Sequence, residues 1–146
     1  MGPAIPNLRV LCVDDDPDTA DSLAMLLELV GFDPFVYYDA RAALAAVDAI
    51  RPDAAILDLR MPGMHGCDLA RRLRAWAGDR PLPLVAVTAQ SDDDARRQTA
   101  EAGFDLHLTK PVDPDTLAMV VADIVILRGD RTGDSGRLTP PPKPGI

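Results

Sequence analysis

Five times along the chain a short apolar run is followed, after a polar break, by a longer stretch in which apolar residues recur every three or four positions. The first run, residues 8–13 (Leu-Arg-Val-Leu-Cys-Val), stops at three consecutive aspartates. A nearly continuous run of this length predicts a strand covered on both faces. Asp16 followed by Pro17 reads as the N-cap and first residue of a helix, because aspartate accepts bonds from free amides and proline needs no donor there. Leu23, Leu26, Leu27 and Val30 continue at i, i+3, i+4 and i+7, and Gly31 supplies the stop.

The same grammar predicts further strands at residues 35–38, 54–57, 84–87 and 104–108. Helices alternate with them, striped by Ala40, Ala43, Leu44 and Val47, then by Leu69, Leu73 and Trp76, and finally by Leu117, Val120, Val121 and Ile124. The fourth helix, about residues 92–102, is polar and weakly amphipathic. Five strand–helix units with short connections predict an α/β domain, a parallel sheet doubly wound by helices on both faces.

Composition bounds this picture. A chain of 146 residues with 47% apolar content has room for one core-bearing domain. From Arg128 the sequence turns to glycine, proline and scattered charge, so residues 7–127 are expected to fold and 128–146 to form a disordered tail. Acids outnumber Lys and Arg by 23 to 15, 21 of them are Asp, and the net charge is −8; direct nucleic-acid binding is not expected. Two cysteines, Cys12 and Cys67, make no disulfide framework and suit a reducing compartment. With no long apolar stretch and no basic, hydrophobic leader, a cytoplasmic protein without membrane insertion is expected.

Candidate chemistry follows from where strands end, since a parallel α/β sheet presents ligand-binding groups beyond their carboxyl ends. Asp14 and Asp15 fall there after the first strand, Asp58 after the third, Thr88 after the fourth and Lys110 after the fifth. If strands one and three are neighbours, three carboxylates converge and repel one another unless a cation joins them. Mg²⁺ suits that demand as a hard ion held by a few carboxylates plus phosphate. Asp15 and one Asp58 oxygen are expected to hold it directly, Asp14 through water or by positioning, and the backbone carbonyl near Arg60 to add a ligand. A hydroxyl (Thr88) and an ammonium (Lys110) suit the oxygens of a phosphoryl group, and Asp58 suits the nucleophile.

The pieces Val-Leu-Cys-Val-Asp-Asp-Asp (10–16), Ile-Leu-Asp-Leu-Arg-Met-Pro-Gly-Met-His-Gly (56–66), Val-Thr-Ala (87–89) and Lys-Pro (110–111) resemble, in order, the receiver domains of bacterial two-component response regulators. The resemblance implies a flavodoxin-like (βα)5 fold with sheet order 2-1-3-4-5 and a cis bond at Lys110–Pro111. It implies that Asp58 accepts phosphate from a histidine kinase or histidine phosphotransfer protein. Asp14 and Asp15 would be the Mg²⁺ acid pair, Lys110 would contact the phosphoryl group and Thr88 would follow it. Arg60 and Gln90 take the positions that tune phosphate lifetime.

The chain departs from the pattern at His107, where signalling receivers usually carry Tyr or Phe three residues before the lysine. An imidazole fills part of that cavity and makes a polar bond, but it does not reproduce an aromatic packing switch. His65 stands where the third helix often has an Asp or Asn cap, and an exposed loop position is expected for it instead. A zinc role for His65 and His107 lacks a third soft ligand. Trp76 is expected to be partly buried, Cys12 buried and Cys67 partly exposed; Arg71, Arg72 and Arg74 read as a solvated face. Excess apolar residues at 124–127 suggest a homodimer through helices 4 and 5.

Two other function classes compete. One is an interaction module of receiver fold whose output no longer depends on phosphate, which His107 favours and the complete acid, Thr and Lys set opposes. The other is an aspartyl-phosphate hydrolase using Asp14 and Asp16, which leaves Asp58 and Lys110 without a role. The receiver reading accommodates either a stand-alone protein or a piece of a hybrid kinase or longer regulator.

Overall fold

The computed structural model describes residues 8–89 and 93–128. Ten elements alternate strictly: β1 Arg9–Val13, α1 Pro17–Leu29, β2 Asp33–Tyr37, α2 Ala40–Ile50, β3 Ala54–Asp58, α3 Gly66–Ala77, β4 Leu84–Thr88, α4 Asp93–Ala102, β5 Leu106–Thr109 and α5 Pro114–Arg128. The strands form one parallel sheet in the order β2-β1-β3-β4-β5, as the resemblance implied. Every residue of β1, β3 and β4 is buried, which explains why these runs lack a polar alternation.

Alternate strand residues feed two cores. Val10, Cys12, Ile56, Val85 and Val87 pack beneath α1 and α5, against Leu27, Val121 and Ile124. Leu11, Val13, Leu57, Leu84 and Ala86 face the other way, toward α2, α3 and α4. The sheet is thus sandwiched between two helices on one side and three on the other. Among the described residues no helix is long and apolar enough to cross a membrane.

Helix starts follow the expected chemistry. The Asp16 carboxylate accepts from the Asp18 amide at 3.2 Å, with Pro17 opening α1. Asp39 accepts from the Ala42 amide at 3.1 Å and caps α2. At α5, the Thr116 amide donates to Asp113 at 2.9 Å. Gly31 follows α1 with φ +94°, a conformation that glycine adopts without Cβ strain.

Several boundaries and environments correct the sequence expectations. β2 begins two residues early, at Asp33, because it is a sheet edge, where a proline costs no needed ladder bond. β5 begins at Leu106 rather than 104; the Phe104 amide donates back to Thr99 at the end of α4, drawing that residue into the helix terminus. Cys67 is buried rather than partly exposed, sealed beneath α4 with Sγ 3.7 Å from the Gln98 carbonyl oxygen. His65 is the N-cap of α3 rather than an exposed loop residue: its Nδ1 accepts from the Cys67 amide at 3.1 Å.

Arg74 is the clearest departure from a solvated arginine face. It donates to the Leu82 carbonyl at 2.8 Å, to the Gly103 carbonyl and to the Asp105 carboxylate at 3.1 Å. One guanidinium thereby ties α3 to the entries of β4 and β5. Arg71 and Arg72 are exposed as expected. Trp76 is half-buried, its indole donating to Asp48 at 2.6 Å while Arg80 covers the ring at 4.3 Å. Cys12 is buried in β1.

Candidate functional site

The site lies at the carboxyl edge of the sheet because β1 and β3 are neighbours, with Val13 opposite Leu57. Asp14, the residue after β1, continues the ladder by donating its amide to the Tyr37 carbonyl at 3.1 Å. One of its carboxylate oxygens accepts from the Asp16 amide at 2.9 Å, fixing the turn into α1. The other accepts from the Lys110 amine at 3.0 Å. Asp14 is buried, Asp15 exposed and Asp58 buried, and each offers an oxygen within 4.8 Å of the others. The three carboxylates predicted to converge do so.

Lys110 reaches this cluster from the far side of the sheet. Its amine lies 3.5 Å from Asp58 Oδ1, and its amide donates to the Thr88 carbonyl at 2.7 Å. The Lys110–Pro111 peptide is cis. Burial lowers the amine's pKa on its own, but the Asp14 and Asp58 carboxylates outweigh it and the net shift is upward.

Asp58 shows the cost of crowding carboxylates. Burial first, then the Asp14 charge, push its pKa up to about 7, with Lys110 pulling in the opposite direction and Asp15 adding to the rise. Such a group is ionised cheaply only when positive charge is supplied. The donor set is all oxygen, the geometry is tight and the ionisation is incomplete, so these residues fit a small, hard divalent cation such as Mg²⁺.

Thr88 ends β4 and is buried. Its hydroxyl oxygen lies 3.1 Å from His107 Nε2, a contact made possible by the β4–β5 register, which sets Ala86 opposite His107 and leaves both side chains on the α4 side of the sheet. Burial and then the Arg96 charge lower the pKa of His107. Arg60 follows β3 with an exposed side chain. Gln90 lies outside the described residues, as do residue 7 and the tail from 129 onward.

One contributor escaped sequence reasoning. Gly66 begins α3, and a Cβ there would stand 2.3 Å from the Asp58 carbonyl oxygen and 2.7 Å from the Leu59 Cα. Its amide donates to the Leu59 carbonyl at 2.8 Å. Helix α3 is therefore seated on the backbone that carries Asp58. The available signal was a glycine just before an amphipathic helix stripe, where it brings no propensity of its own.

The family described as response regulator receiver domain matches residues 10–122. The DNA-binding response regulator MtrA of Mycolicibacterium smegmatis is 43% identical over 109 residues, covering 75% of this chain and 46% of MtrA. The sensor histidine kinase GacS of Pseudomonas protegens is 38% identical over 116 residues, covering 77% of this chain and 13% of GacS. The chain spans about half the length of the first curated relatives it matches, and their names lend no support to the expectation that nucleic acid is not a partner. Chemotaxis protein CheY4 of Vibrio cholerae superimposes with a TM-score of 0.75 at 26% identity, covering 80% of this chain and 98% of CheY4. With its fold, its acidic cluster and its family match in agreement, the chain belongs to the receiver domains of two-component response regulators.

Proposed function

We propose that residues 7–127 act as a phosphoacceptor switch or relay, taking a phosphoryl group on Asp58 from the phosphohistidine of a histidine kinase or histidine phosphotransfer protein. The observation carrying this reading is the meeting of three carboxylates within 4.8 Å, with an amine 3.5 Å from the acceptor. In the transfer, an Asp58 oxygen attacks phosphorus in line, the phosphorus–nitrogen bond breaks, and its electron pair stays on the donor imidazole. Asp15, Asp58 and the Arg60 carbonyl would hold Mg²⁺, with Asp14 acting through water or by positioning; the ion would supply positive charge to offset the phosphoryl oxygens. Lys110 contributes a second cation and Thr88 a hydroxyl donor. Loss of phosphate to water, which the domain assists, resets the switch; Arg60 and Gln90 tune its rate.

A groove of about 500 Å³ lies beside Lys110, bordered by Asp18, Thr19, Ser22, Leu26 and Pro111. We infer a cytoplasmic location from the proposed phosphohistidine donor. Met119 and Ile126 on α5 are exposed and favour a homodimer through α4 and α5, which light scattering tests by the mass with and without phosphate. DNA binding, which the name of MtrA states for that protein, would belong to a longer protein carrying this domain.

Incubation with Mg²⁺ and acetyl phosphate, followed by intact mass, tests acceptance. One phosphoryl group is expected on the wild type and none on Asp58→Asn. No gain by the wild type supports the phosphate-independent interaction module instead, and a gain surviving Asp58→Asn removes Asp58 as acceptor.

A further inference from the structure

The Thr88–His107 contact sets this chain apart from receivers with a carbon-only ring at the same position, because a hydroxyl and a ring nitrogen are 3.1 Å apart. A threonine hydroxyl has a single proton to donate, and the oxygens of a phosphoryl group are acceptors only. Whether His107 receives that proton in the unphosphorylated chain depends on the tautomer of the imidazole. Burial and Arg96 both disfavour its charged form, so the ring is neutral near pH 7, with one nitrogen protonated and the other bare. A bare imidazole nitrogen is a stronger base than a hydroxyl oxygen. The better pairing has Thr88 donating to Nε2, with Nδ1 carrying the ring proton, as in a serine–histidine pair.

We propose that His107 is a positioning residue that competes with the phosphoryl group for the Thr88 hydroxyl proton, so that loading of Asp58 breaks the Thr88–His107 hydrogen bond. This deepens the phosphoacceptor reading and rests on it. Both partners lie on the α4 side of the sheet, and Arg96 of α4 is felt at the ring. Redirecting the hydroxyl's hydrogen bond from the imidazole to a phosphoryl oxygen, with the O–H bond intact, therefore leaves a basic nitrogen without its donor beside α4. Polar exchange, rather than the turning of an aromatic ring, carries occupancy toward that helix.

The experiment measures beryllofluoride affinity with Mg²⁺ for the wild type, His107→Phe and His107→Gln, each also with Thr88→Ala. Removing the acceptor removes the competition, so His107→Phe should bind about fivefold tighter, the worth of one neutral hydrogen bond. His107→Gln retains an acceptor oxygen and should bind close to wild type. In the Thr88→Ala background the difference between His and Phe should vanish, which a packing effect at position 107 would not do.

Nitrogen-15 spectra of the wild-type ring provide a readout independent of any variant. His107 Nε2 should be unprotonated and hydrogen-bonded before loading, and unprotonated and free of that bond after it. Equal affinities for His107→Phe and wild type, a difference persisting with Thr88→Ala, or an Nε2 that carries the ring proton before loading would overturn the competition. If the wild type binds no beryllofluoride, the phosphoryl site itself falls and the competition with it; wild-type binding with no effect at position 107 removes the competition alone.

Discussion

Asp58 carries opposing demands in one side chain. Its folded pKa of about 7 lies above the ordinary 3.8, so the folded chain holds this proton more tightly than the unfolded chain does. Stability from this residue is therefore full below about pH 4 and declines as pH rises toward 7, because ionisation is easier after unfolding. In chelator, Asp58→Asn should raise the urea midpoint at pH 8 by an amount worth about 1–2 kcal/mol, discounted for the lost Lys110 attraction. The gain should shrink toward pH 4. A lower midpoint for the variant at pH 8 would show that the lysine attraction outweighs crowding.

At this scale the site was readable because each of Asp14, Asp58, Thr88 and Lys110 terminates or directly follows an apolar run, and a parallel sheet gathers such positions along one edge. His65, Cys67 and Arg74 were not readable. An imidazole cap, a thiol sealed by a helix distant in sequence and an arginine bonded to two remote carbonyls depend on partners that no local spacing reveals. The Thr88–His107 contact is intermediate, since the unusual residue was visible but its partner depended on strand register.

Among the helices, α3 sets its first residue directly against the Asp58 backbone. Gly66→Ala would drive a methyl into the Asp58 carbonyl and the Leu59 Cα. It should cost about 2–4 kcal/mol by the scale of severe overpacking, and slow acetyl phosphate labelling of Asp58 even where the chain stays folded. Unchanged labelling in a folded variant would separate helix seating from acceptor placement. Arg74→Ala takes a donor from two carbonyls and leaves the Asp105 carboxylate its bond from the Leu84 amide; it should lower stability by about 1–3 kcal/mol, measured by denaturant melts. Element order and type were legible from periodicity, whereas the starts of β2 and β5 were not. An edge proline and a helix-terminal bond moved them in opposite directions.

For the whole molecule, the proposed metal role of the acidic cluster would link folding to divalent cation concentration. Mg²⁺ should raise the melting temperature at pH 7.5, with about 1.4 kcal/mol of added stability at tenfold excess over Kd. Asp15→Ala, which alters an exposed ligand and not the core, should abolish most of that rise. An equal rise in the variant would place the cation elsewhere. Sheet order and the two-sided layering were implied at the sequence level by five alternating units and the family motifs.

The two helices that flank this edge are fastened very differently. α3 buries Leu69, Ala70, Leu73 and Ala77 and touches the Asp58 backbone through Gly66, whereas α4 anchors itself by Ala95, Thr99 and Ala102 among its described side chains. Amide exchange should consequently be faster in α4 than in α3. A message written at the acceptor would then leave through the looser wall, the stiff one serving as the anvil against which it is struck.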